Sequence, residues 1–404
     1  MNYDVVVVGG GPIGAVAARV AAENGARTLL VEKGDGSGEP ARCAGLVSPR
    51  VLPTLGASDE SIIREIRGAL IHSPAGRELS LRSEEVKAFV LDRPVLDREL
   101  LALARDAGVE VLLRARLTSA HPGSITLMLG GAEEEVRTGV IIGADGPASV
   151  VASSFSLPSP EEMLMASQAT VEGDPRREDE VDIYFGRSIA PTFFAWAIPS
   201  QEGKMRVGLA APVGTKTDRL LSNLLLEQKL GSEIERVHGL IPVSLVRDTI
   251  ADGALLVGDA AGQVKPSSGG GLYTGGVCAR IAGRVAAEAA LARRAKKTDL
   301  APYEELFMQR IGGEIGFARA ARRLLRNIDD AGIDALLAGI DRPQVRELIS
   351  DYGDIDYPSR IAHALASRRD LWPALRPLIP ILGGASGLSE MARMILADYD
   401  GAHV

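Results

Sequence analysis

The stretch Asp4 to Glu32, DVVVVGGGPIGAVAARVAAENGARTLLVE, confines this chain to a narrow set of folds. Val5 to Val8 are four consecutive β-branched residues, the pattern of a strand buried on both faces, and a glycine-rich turn runs from them directly into an alanine-rich helix. Gly9 permits the tight turn, Gly11 leaves space for a pyrophosphate, and Gly14 lets the helix pack closely on the strand. The N–H groups opening that helix point at the anion, and the helix dipole favours negative charge there. Thr28 to Val31 predicts a second strand, ending on the carboxylate of Glu32. Glu32 follows Gly14 by 18 residues, close to the offset of about 20 at which a carboxylate accepts from ribose hydroxyls. The stretch therefore predicts an α/β fold with a parallel sheet carrying a dinucleotide.

The remaining composition narrows the partners. Lys and Arg total 45 against 53 Asp and Glu, a net charge of -8, and a phosphate backbone needs a basic surface, so nucleic acid is not expected as a partner. At 404 residues, 46% hydrophobic and 24% charged, the chain has room for two or three domains and a large core. No signal peptide and no apolar run of about 18 residues is present, so the expected location is the cytoplasm. Two cysteines, Cys43 and Cys278, supply neither a disulfide framework nor a set of ligands for zinc or an Fe–S cluster, and no metal is expected.

After Glu32 the loop KGDGSGEPARCAGLVSPR is too rich in Gly and Pro for regular structure. It leaves the sheet beside the place a dinucleotide would extend. Arg42 there can meet phosphate or a flavin, and Cys43 is either a small filler of a turn or a reactive group. The segment VLDRPVLDRELLALARDAGVEVLL returns to α/β logic, with a helix ending at Ala107-Gly108 and a strand from Val109 to Leu113. Arg93, at the start of this crossover, either forms a local salt bridge or reaches cofactor phosphates. Leu117 offers a backbone amide to an adenine edge or is plain core. A hairpin-like piece then leads into VIIGADG, whose turn falls at the carboxyl edge of the sheet.

From about 155 to 245 the alternation and aromatic content are those of antiparallel strands. Tyr184, Phe185, Phe193, Phe194 and Trp196 crowd into one short region, as sheet core or as an apolar substrate wall. Ala254 to Val257 is a short buried strand that ends at Asp259, a carboxylate suited to a sugar-alcohol hydroxyl. Gly269, Gly270 and Gly271 permit a backbone to lie against a flat ring before a long helix begins, whose N-terminus faces charge developing on that ring. Cys278 in this helix reads as a buried small hydrophobe. From Tyr303 onward the chain reads as helices, interrupted by LWPALRPLIPILGG, which is a packed appendage, a pocket cap or a peripheral membrane contact.

Three motifs in this order, GGGPIG with Glu32, GADG, and VGDAAGQVKPSSGGG, resemble the FAD-binding flavoproteins of the p-hydroxybenzoate hydroxylase type. Two further stretches resemble the geranylgeranyl reductase family: PARCAGLVS is similar to its P-x-x-C-G-G loop, and the segment holding Tyr184, Phe194 and Trp196 to its Y-x-W-x-F-P element. Departures are Ala44 for the first Gly after the cysteine, Phe194 for Tyr and Ile198 for Phe. The resemblance covers residues 1 to about 300.

What it implies is saturation of prenyl double bonds in a membrane-lipid precursor by reduced, non-covalent FAD. It implies FAD contacts at Gly14, Glu32, Cys43, Ala44, Leu46, Arg93, Leu117, Asp259, Gly271 and Leu272, and substrate contacts at Tyr184, Phe194 and Trp196. Cys43 is the implied catalytic acid, with a water or the flavin as rival proton donors. An external reductant, a ferredoxin, a deazaflavin or a nicotinamide, is required. The expected organisation is a discontinuous FAD-binding domain over 1–70, 90–155 and 245–300, an interleaved antiparallel-sheet substrate domain over 71–89 and 156–244, and a C-terminal helical region over 301–404. Two rival functions share the cofactor frame. A flavin monooxygenase or halogenase is one, although the first Trp of the halogenase W-x-W-x-I-P segment is absent; a flavin-binding electron-transfer or lipid-carrier protein without chemistry is the other.

Overall fold

The computed structural model describes residues 2–368. The strand Asn2–Val8 lies at the centre of an eight-stranded sheet, parallel to Thr28–Val31 on one side and to Ala132–Gly143 on the other. Glu110–Leu112 and Ala254–Leu256 extend the parallel set outward on either side. Val5, Val6 and Val7 are fully buried because the sheet is covered on both faces, which is why this strand needs no polar alternation. Since the five strands are parallel, Gly9, Glu32, Asp145 and Asp259 all leave the sheet at one edge. The helices Pro12–Glu23 and Leu272–Leu291 pack together on one face. On the other side Ala115–His121, Ser124–Leu129 and Ala132–Gly143 form the expected antiparallel extension.

The helix Arg93–Asp106 begins where Asp92 accepts from the Val95 N–H at 3.2 Å, and it ends two residues before Gly108, with Ala107 as its C-cap. Its position is the one the crossover pattern predicts.

A seven-stranded sheet runs in the order Ser232–Pro242, Met163–Glu172, Lys204–Pro212, Ala195–Pro199, Glu180–Tyr184, Gly68–His72, Glu78–Arg82. All neighbours are antiparallel except Gly68–His72, which runs parallel to Glu180–Tyr184. The expected domain boundary between 70 and 71 therefore cuts a strand. Ala88–Leu91 belongs instead to a three-stranded sheet with Leu46–Val47 and Ile62–Ile66. This small sheet joins the cysteine loop to the rest of the molecule.

The C-terminal helices are Lys297–Asn327, Asp330–Ile340, Pro343–Tyr352 and Ser359–Ser367. The first starts six residues before Tyr303, and Pro302 inside it disguises the start. Arg322 fastens this helix to the seven-stranded sheet: its guanidinium donates to the Thr192 carbonyl and to Glu162 Oε1, the latter at 2.7 Å, and stacks over Phe193. LWPALRPLIPILGG lies outside the described residues. Among the described residues no helix is long and apolar enough to cross a membrane.

Candidate functional site

The glycine turn after the first strand has two kinds of glycine. A Cβ on Gly9 would stand 2.2 Å from the Ala144 carbonyl oxygen, and one on Gly14 would stand 1.9 Å from that of Gly9, so both are packed shut. Around Gly11, by contrast, a Cβ would meet nothing within 4 Å. Gly11 is also the N-cap of the helix Pro12–Glu23, and no side chain caps that end. An open backbone cradle at an uncapped helix N-terminus suits a pyrophosphate. Glu32 is oriented by two backbone donors, Gly10 N–H to Oε2 and Gly34 N–H to Oε1, each at 2.6 Å. Both oxygens keep a lone pair for a ribose hydroxyl.

At the far end of the same edge stand Asp259 and the glycines before the second long helix. The carboxylate of Asp259 makes no hydrogen bond among the described residues, and a Cβ on Gly271 would lie 3.3 Å from its Oδ1. Burial pushes the Asp259 carboxyl up to about 6, against the pull of Arg93. Gly271 caps the helix Leu272–Leu291, again without a side-chain cap. These residues, with the Gly11 cradle, fit FAD: a phosphate seat at one helix terminus, an unpartnered carboxylate for the ribityl chain, and a second terminus facing the ring. Asp145 has a different task. It accepts from Ser149 Oγ at 2.6 Å and from the Val150 N–H at 2.7 Å, and so holds the helix Val150–Ser154.

The folded state binds the Asp259 proton more tightly than the unfolded chain does. Its contribution therefore favours folding below pH ~4 and is lost as the pH rises through the folded value. Asp259→Asn is expected to stabilise the flavin-free protein at pH 8 by on the order of 2 kcal/mol, a gain that shrinks at pH 5. Urea midpoints at the two pH values measure it, and a gain independent of pH would contradict the assignment.

Cys43 sits between the two halves. Its Sγ accepts the Gly45 N–H at 3.4 Å, and its carbonyl accepts from Gln168 Nε2 at 3.4 Å. Gln168 Oε1 in turn accepts the indole N–H of Trp196 at 3.2 Å. Two guanidinium groups flank this loop. Arg206 donates to the carbonyls of Ala44 and Leu91 at 3.0 and 2.9 Å. Burial pulls its pKa down, and Cys43 and Asp92 oppose that pull. Arg93 grips Asp97 with two bonds of 3.0 and 3.1 Å. Burial lowers its pKa too, but interactions with Cys43 and Asp97 outweigh it and leave it raised. Of the two readings of Arg93, the structure shows the local salt bridge, to Asp97 beside the cysteine loop.

The other expected site residues divide. Ala44 and Leu46 pack against the apolar cluster that contains Trp196, with Phe194 at its margin. Phe194 stacks on Phe193 at 4.3 Å and meets Trp196 edge-on at 6.2 Å. Gly270 and Leu272 flank Gly271 as expected. Arg42 is exposed, and its guanidinium has no partner among the described residues. Leu117 is core in its side chain, so only its main chain is available to a cofactor. Cys278 is fully buried.

Tyr184 is a correction. It lies on the opposite face of the sheet from Trp196, packed with Ala169, Ala195 and Leu221 and stacked on His72 at 4.3 Å. The pairing of Tyr184 with Ala195, one residue before Trp196, turns it away from the inner face.

Four site residues escape sequence reasoning. Gln168 and Arg206 lie on strands, Met163–Glu172 and Lys204–Pro212, that carry other polar residues as well, so neither stands out in the sequence. Lys265 and Asp356 form a buried ion pair at 2.6 Å, with side chains 6% and 1% exposed. Lys265 also donates to the Ile355 carbonyl at 2.9 Å, and Ser48 Oγ donates to Asp356. The Lys265 backbone closes the glycine turn, its N–H to the Gly270 carbonyl and its carbonyl to the Gly269 N–H. A segment from the C-terminal region thereby holds the loop of Gly269 and Gly270 in place.

Residues 4–154 match the profile of the FAD dependent oxidoreductase family. Digeranylgeranylglycerophospholipid reductase 2 of Methanothermobacter thermautotrophicus is 33% identical over 84% of this chain and 92% of its own. The crystal structure of a geranylgeranyl bacteriochlorophyll reductase-like protein from Thermoplasma acidophilum superposes with a TM-score of 0.81 at 27% identity, covering 94% of this chain and 99% of that one. A flavin-dependent brominase superposes with a TM-score of 0.70 at 17% identity, over 92% of this chain and 100% of that one, and shares the fold alone.

Proposed function

Because this chain belongs to the digeranylgeranylglycerophospholipid reductase family of FAD-dependent oxidoreductases, we propose that it saturates carbon–carbon double bonds of geranylgeranyl chains in a membrane-lipid precursor. What bound FAD supplies in its reduced form is a hydride. Gly11 and the N-terminus of Pro12–Glu23 bind its pyrophosphate, Glu32 its ribose, and Asp259 with Gly271 the flavin end. Trp196 and Phe194 exclude water and seat the alkene against the cysteine loop. Cys43 would deliver a proton to the less substituted carbon of the alkene, and solvent would restore the thiol. An external reductant would be needed for each turnover.

The observation that carries this reading is the hydrogen-bonded link from Trp196 through Gln168 to the Cys43 carbonyl. It joins the apolar wall to the cysteine loop. The test is anaerobic incubation of dithionite-reduced enzyme with a geranylgeranyl lipid, followed by mass spectrometry. A gain of two hydrogens per double bond is expected; a product that forms only with oxygen would replace the reading by monooxygenation. Cys43→Ala is expected to keep its flavin and lose roughly tenfold in turnover, water taking over as a poorer donor. Unchanged turnover would remove Cys43 from the reaction.

A further inference from the structure

A cavity whose lining excludes the cysteine loop lies on the helical face. It is a groove of about 870 Å³ between the helices Pro12–Glu23, Leu272–Leu291 and Lys297–Asn327. Its apolar lining comes from Val277, Ile281, Leu306 and Ile311, and it carries three arginines, Arg280, Arg284 and Arg310. None of the three makes a hydrogen bond or ion pair among the described residues, although the chain has 53 carboxylates to 45 cations. One carboxylate lines the groove, Glu23, and it faces Arg19 at 3.6 Å. Apolar surface under unpaired guanidinium groups is complementary to an amphiphile with an anionic head, and guanidinium groups in particular suit phosphate.

The groove shares part of its lining with a neighbouring cavity. Pro53, Thr54 and Tyr273 line both this groove and a neighbouring cavity of about 590 Å³ that includes Ser48 and Ile355. Ser48 bonds Asp356, the partner of Lys265 in the glycine turn. Tyr273 is the second residue of the helix Leu272–Leu291, whose N-terminus is the proposed seat of the flavin end. From Tyr273 to Arg284 is eleven residues of helix, roughly 16 Å, a span that a prenyl chain covers.

We propose that Arg280, Arg284 and Arg310 bind the phosphate of a phosphate-headed isoprenoid lipid, whose chain follows the groove toward Tyr273. This rests on the reading that the substrate is an isoprenoid lipid and adds where its head is held. An acidic protein donor would need the charges but not the apolar groove.

The test is binding of geranylgeranyl phosphate and of geranylgeraniol to the flavin-loaded protein, by calorimetry in detergent below its micelle concentration. The unaltered protein is expected to prefer the phosphate by at least about tenfold, and the triple variant Arg280→Gln, Arg284→Gln, Arg310→Gln to bind both alike. A triple variant that keeps the preference overturns the proposal. So does displacement of both probes alike by inorganic phosphate, which would make the site one for free anion. So too does a variant whose lost binding is confined to vesicles of phosphatidylglycerol over phosphatidylcholine, since that would be a membrane surface. Binding through the arginines with no gain of hydrogens under anaerobic reduction would leave this inference standing and defeat the proposed reaction; reduction with no arginine dependence would do the reverse.

Discussion

Gly11→Val is expected to give a folded protein without flavin. Gly11 has φ -67° and ψ 175°, a conformation open to any L-residue, and no atom lies within 4 Å of the position of its Cβ. The folded chain therefore has no reason to resist the side chain, and an unopposed surface change is worth within about 0.5 kcal/mol. The cradle is a different matter. Valine methyl groups would occupy the space that the pyrophosphate needs beside the helix N-terminus, and overpacking of a rigid site costs about 1–3 kcal/mol before the lost N–H contacts are counted. FAD affinity should fall by roughly a hundredfold or more, while the melting temperature of the flavin-free protein barely moves.

Gly14→Val separates this from a general defect. Its Cβ would strike the Gly9 carbonyl oxygen at 1.9 Å, so fold and flavin should be lost together. Flavin absorbance per polypeptide and a thermal melt of the flavin-free protein read both effects. A Gly11→Val protein that stays yellow would mean that the pyrophosphate lies elsewhere.

Asp356→Ala should be the most damaging single change to stability. The Asp356–Lys265 pair is almost wholly buried, and removing one member of such a pair strands the other charge without water, a loss of about 3–5 kcal/mol. One carbonyl, that of Ile355, would remain for the ammonium. Because the Lys265 backbone closes the turn at Gly269 and Gly270, flavin retention should fall too. Replacing both members with apolar residues, Lys265→Met with Asp356→Leu, should recover most of the stability, since neither charge is then left buried. The neighbouring Arg50–Asp354 pair provides the contrast. Its distance is 2.8 Å, but the arginine side chain is 41% exposed, and water screens it; Arg50→Ala should cost less than about 1 kcal/mol. Urea midpoints across the three variants decide the matter. Equal losses for Asp356→Ala and Arg50→Ala would show that burial of the first pair does not govern its strength.

The cofactor half of this protein was legible in its sequence because the physics there is local. A strand buried on both faces, a turn that tolerates no side chain and a helix that must start without a cap fall within a dozen residues, and each leaves its own mark in residue type. The same is true of Glu32 and of the glycines before Leu272, and the family resemblance rests on those marks. Tyr184, by contrast, looked like Trp196 from its neighbours; which face each took depended on how two strands were paired. Gln168 and Cys43 are 125 positions apart, Lys265 and Asp356 are 91. Nothing in either local segment announces the other, because these partners are chosen by the docking of one sheet or segment on another. The chain alone thus pointed to FAD and to the strand edge suited to hold it. The packing of distant elements decided which side chains face it, since a charge or amide is satisfied by whatever the tertiary contact brings within reach.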